Sequence, residues 1–146
     1  MNWARFILSA VVGYVVLVAA GGLWHLEWFK SLYAVQLAKV ARPAPLLAGI
    51  AAAEGVRAVV FALVYAMAYR GGPPWREGLR FGLLMALLSA AAFGITFAQH
   101  EVASLTWLWM ETAFFLVQCG IVGVVIGYCY GRGEGSGHSV AHSHRA

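Results

Sequence analysis

A chain of 146 residues that is 62% hydrophobic and 11% charged, with a mean hydropathy of +0.75, cannot bury its apolar surface in a soluble core; soluble domains carry about a quarter charged residues. Six glutamates, no aspartate and ten Lys plus Arg leave a thin net charge of +4, which suits anionic lipid, and no basic stripe interleaved with aromatics is present, so nucleic acid is not an expected partner. The composition predicts an all-α polytopic membrane protein whose main partner is the lipid bilayer.

The first apolar run covers residues 5–24, with Trp3 and Arg5 at its start and Trp24, His25 and Trp28 at its far end. It reads as a membrane span. The rival reading is a secretory signal, because Arg5 precedes an apolar core and Val18-Ala19-Ala20 resembles a cleavage site. The run nevertheless reaches a Trp-rich boundary without a polar break, and losing it would leave an odd number of spans. Over residues 26–40, Leu26, Phe29, Leu32, Tyr33, Leu37 and Val40 fall on one helical face, with Glu27, Lys30, Ser31 and Lys39 off it. This predicts an amphipathic helix in the interface, or an ordinary connecting helix. Arg42-Pro43-Ala44-Pro45 ends it, since each proline disfavours helix at the residue before it.

The second span is expected over residues 46–69, closed by Tyr65, Tyr69 and Arg70, and followed by the turn Gly71-Gly72-Pro73-Pro74. Trp75, Arg76 and Arg80 flank the third, 79–99; His100-Glu101 and a brief polar link precede the fourth, 105–130, near whose start lie Trp107 and Trp109. All six tryptophans lie near predicted boundaries, the pattern of an aromatic belt. Residues 1–131 thus form a four-helix transmembrane domain with one interfacial helix between spans one and two. Residues 132–146, rich in Gly, Ser and His, read as a disordered tail in which His138, His142 and His144 are weak metal-binding candidates. Four spans put the termini and the loop between spans two and three on one side with Arg5, Arg70, Arg76, Arg80, Arg132 and Arg145; Lys30, Lys39 and Arg42 lie on the other. That bias predicts cytoplasmic termini and argues against dual topology.

Small residues recur at every fourth position in the third span, Gly78, Gly82, Ala86, Ala90, Gly94 and Ala98, and in the fourth, Gly123, Gly127 and Gly131. Such ridges let helix backbones approach closely, either within the chain or across a homo-oligomer. Cys119 and Cys129 are ten residues apart on one helix, separated by about 15 Å, so they cannot pair within it.

The informative residues are the charges inside the spans. A charge at the centre of a membrane helix costs about 3 kcal/mol, so it needs a partner. Up-down topology brings His25, Glu54, His100 and Glu111 to one end of the bundle, and helical phase adds Gln118 below Glu111. Arg57, three residues after Glu54, is positioned to pair with it, which leaves Glu111 to His25, His100 or Gln118. Four explanations fit this cluster. It can be a structural network fixing helix register, or a proton or cation relay carried by Glu111 and Glu54. It can also be a metal site drawn from His25, His100, Glu54 and Glu111, or a site for lipid, haem or catalysis. No Glu-x-x-His pair, HExxH, nucleophile elbow or glycine-rich phosphate loop is present, so no cofactor and no enzyme class has positive support.

Trp24-His25 with Phe29-Lys30 and Leu32-Tyr33, the run Glu77-Gly78-Leu79-Arg80-Phe81-Gly82-Leu83-Leu84, and Glu111 with Gln118 and Gly123 together resemble the small bacterial four-helix membrane proteins catalogued as domain of unknown function seventeen sixty-one. The resemblance covers most of residues 1–131. It implies this architecture and a bacterial inner-membrane location, and it carries no activity.

Overall fold

The computed structural model describes residues 2–38, 45–99 and 104–131. His100, Lys39, Arg42 and the tail histidines lie outside them. The chain is all α: α1 (Trp3–Gly22), α2 (Lys30–Gln36), α3 (Leu47–Ala68), α4 (Pro74–Ala98) and α5 (Leu105–Gly131). Four of these helices are long and apolar enough to cross a membrane, with α2 as the short helix between the first two.

Local chemistry accounts for the starts of three helices. Asn2 caps α1, its Oδ1 accepting from the Arg5 N–H at 3.2 Å. The turn before α4 uses Gly71 and Gly72 at φ of 86° and 127°, where a side chain would be strained, and Pro74 opens the helix at a position that needs no N–H. Ser104 caps α5, its Oγ accepting from the Trp107 N–H at 3.2 Å.

The first span differs from expectation at its end. Instead of stopping at residue 24, α1 continues as a π-helical segment, Leu23–Trp28, which breaks at Phe29 where φ is −117° and ψ 16°. Leu26 therefore belongs to the first span, and α2 is only seven residues long. Of the apolar face expected on the amphipathic helix, Tyr33 is buried while Leu32 is exposed. The tryptophans also divide. Trp3, Trp28, Trp75 and Trp109 are exposed at helix ends, whereas Trp24 and Trp107 are half-buried and pack inward against Phe114 and Phe93.

Neighbouring long helices run antiparallel. α1 packs against both α3 and α5, α4 lies along α5, and α3 touches α5 and α4 only narrowly. α5 is the central element, with 44% of its most apolar window buried against 17–22% in the other three. The α4–α5 contact is made by glycine. A Cβ on Gly78 or Gly82 would collide with the carbonyls of Gly123 or Cys119, and one on Gly123 or Gly127 with those of Gly78 or Pro74. These ridges therefore meet within one chain, where dispersion between closely approaching backbones holds them. Gly131 is less tight, facing Tyr69 and Pro74. Gly94, on the same repeat, has open space where a Cβ would stand, because the aromatic contact of Phe93 with Trp107 and Phe115 takes over at that end.

Candidate functional site

The site lies where α2 crosses the ends of α1 and α5. Continuation of the first helix to Trp28 carries His25 onto α5. Its Nδ1 is 2.9 Å from the Gly21 carbonyl and its Nε2 is 3.4 Å from Oε1 of the buried Glu111. A carbonyl oxygen only accepts, so Nδ1 carries a proton. Nε2 then faces a carboxyl oxygen, and that contact is attractive only when one proton lies between them, as imidazolium with carboxylate or imidazole with carboxylic acid. Without it two lone pairs oppose each other.

α2 covers this pair with Tyr33. The Trp24 indole N–H donates to the Tyr33 hydroxyl at 3.2 Å, and the phenol lies close enough to Glu111 to feel its charge. Burial, reinforced by the Glu111 charge, pushes the phenol above its ordinary range, so it stays a neutral donor. The His25 ring lies 4.5 Å from that of Tyr33 and 4.6 Å from that of Phe114, edge-on to the latter. A further tie holds α2 in place: the Ser104 hydroxyl donates to Gln36 Oε1.

One to two turns deeper is a second group. Arg57 Nη1 donates to both oxygens of Glu54, at 3.2 and 3.3 Å, and Nη2 donates to Gln118 Oε1 at 2.6 Å and approaches Cys119 Sγ at 3.2 Å. Gln118 passes the link on, its Nε2 donating to the Leu17 carbonyl at 3.0 Å. Three helices are thereby tied at one level. The guanidinium carbon also lies 5.4 Å from the Phe61 ring centre and 5.9 Å from that of Phe115, contacts that favour a desolvated cation. Below this comes an apolar layer of fully buried Leu17, Ala62, Val122 and Ile126, with Phe61 and Phe81 beside them, and beyond it the Ser9 and Tyr65 hydroxyls are buried. Polar groups return at the terminal end, where Arg5 Nη1 donates to the Tyr130 carbonyl at 3.3 Å.

Of the residues expected to converge, His25 and Glu111 meet, and Glu54, Arg57 and Gln118 meet. His100 lies outside the described residues. Gln118 serves Arg57 and Leu17, and among the described residues it is His25 that meets the Glu111 carboxyl. Among the described residues no three His, Cys, Asp or Glu side chains converge as metal ligands. Trp24, Tyr33, Phe114 and Cys119 complete the two groups although their sequence pattern did not single them out as site residues. Tyr33 sits eight residues after His25 on an apolar face that reads equally well as lipid-facing. Cys119 carried no signal beyond its place next to Gln118. Comparison with protein-family models, curated proteins and solved structures finds no match to this chain.

Proposed function

We propose that this multi-pass membrane protein binds a proton at the His25–Glu111 pair. The observation that carries the reading is the hydrogen-bond pattern of His25. With Nδ1 on the Gly21 carbonyl and Nε2 on Glu111, the pair is satisfied only when it holds one proton. The apolar layer of Leu17, Val122 and Ile126 beneath it favours binding over conduction through the bundle, since a proton path needs polar or hydrated groups along its length. The arginine bias toward the terminal side supports cytoplasmic termini and a site on the outer face, and the family resemblance implies a bacterial inner membrane.

The test is proton uptake after a pH jump, followed with a pH dye, by the protein in nanodiscs. Wild type takes up a proton in a single step; His25→Gln lacks the step and Glu111→Gln shifts it to lower pH. Uptake identical in all three would overturn the reading. The second reading, a non-catalytic scaffold or assembly subunit whose polar residues fix helix register, is favoured by Gln118, which spends both ends of its amide joining α1, α3 and α5. It predicts that Glu111→Gln lowers stability in detergent while uptake is unchanged.

A further inference from the structure

α3 and α4 are joined by a short turn, so they must be close at that end. They touch there through Phe61 and Tyr65 against Phe81, at ring separations of 5.8 and 5.3 Å. Toward the α2 end they part. On α4, positions in phase with Phe81 go from 8% exposed to 64% at Leu88 and 66% at Ile95; on α3, the phase of Phe61, 6% exposed, leads to Ile50 at 53%. The two helices thus form a V that opens sideways, into the membrane, over the half of the bundle that holds the polar residues.

Glu54 is on the α3 wall of this opening, one-fifth exposed, in phase with Phe61. Seven residues from the start of α3, it lies about 10 Å along the helix, below headgroup level. Its carboxylate accepts from a single guanidinium nitrogen, leaving unused acceptor capacity. Arg57 has little to offer a ligand, because both terminal nitrogens are engaged and Nε is buried. Aromatic rings of α4 and α5 lie nearby: Phe115, 5.9 Å from the Arg57 guanidinium carbon, packs 6.0 Å from Phe93. A one-fifth-exposed carboxylate with spare acceptors, near aromatic rings and reached through hydrocarbon, complements a cation bearing N–H donors on an apolar tail.

We infer that the α3–α4 cleft binds a lipophilic amine, admitted laterally from the membrane, with its ammonium group on Glu54. A single-chain amine fits the depth better than a phospholipid, whose ammonium would draw its phosphate below the headgroups. The inference rests on residues outside the His25–Glu111 pair and stands or falls separately from proton binding.

The test measures retention of radiolabelled dodecylamine by the full chain in phosphatidylcholine nanodiscs, a lipid without N–H donors, against empty discs and against dodecanol. Saturable retention of the amine and none of the alcohol is expected, with affinity reduced about tenfold by Glu54→Gln through loss of the charge-assisted bond. Leu88→Trp, a substitution on an exposed position that fills the mouth of the cleft, reduces retention with an unchanged melting temperature. Equal retention of amine and alcohol, or affinity untouched by both substitutions, overturns the inference. Loss of retention when phosphatidylethanolamine is added also overturns it, assigning the cleft to a lipid headgroup.

Discussion

Glu111 and Gln118 sit seven residues apart on the same face of α5 and have different tasks. Glu111 meets a group that can exchange a proton, His25; Gln118 meets a cation that cannot, Arg57, and a backbone carbonyl. An amide suits the second position because it donates and accepts at once without carrying charge into the membrane. Gln118→Leu removes both links and leaves Arg57 less well solvated by the protein, so stability should fall by about 1–3 kcal/mol, read from unfolding in SDS. Gln118→Glu should be milder, since it restores an acceptor for Arg57 while losing the donor to the Leu17 carbonyl.

At the scale of the element, α4 behaves as two halves. Near the turn its glycines bring its backbone onto that of α5; near the α2 end, Phe93 and Trp107 fill the space between them. The repeat Gly78, Gly82, Gly94 therefore has unequal consequences. Gly82→Leu drives a side chain into the Cys119 carbonyl and should separate the helices, with loss of folded protein in detergent or destabilisation above about 3 kcal/mol. Gly94→Leu has room and should stay within about 0.5 kcal/mol of wild type. Thermal melts of the two variants side by side make the comparison. The π-helical Leu23–Trp28 segment is the other element with a specific task. It carries the first span past the end expected from hydropathy and delivers His25 and Trp24 to α5 and α2, a use of π-winding that recurs at functional positions.

Taken whole, the molecule is built on α5, with polar groups concentrated at the α2 end, a dry middle, and a tyrosine- and arginine-bearing terminal end. The proposed orientation makes a direct prediction. A fluorescent protein fused to the C-terminus should fold and fluoresce, while alkaline phosphatase at the same place should be inactive, because the former matures in the cytoplasm and the latter outside it. The reverse pattern would turn the site toward the cytoplasm.

The sequence by itself determined four long apolar helices, a short helix after the first, and charges set inside the spans. These are local properties, dictated by the need to satisfy every backbone hydrogen bond within lipid and readable from length, hydropathy and period. It also placed Arg57 beside Glu54, because three residues along a helix are neighbours whatever surrounds them. Partner choice between helices was a different matter. Whether Glu111 turned to His25 or Gln118 depended on how far the π-wound end of α1 reached, and whether the glycine ridges met inside one chain or between two depended on which helix lay opposite. Only the tertiary structure decided these, and only it showed that α3 and α4 part above Phe81: the repeat of small residues runs on to Gly94 and Ala98, but the distance between two helices is set by everything else that packs against them.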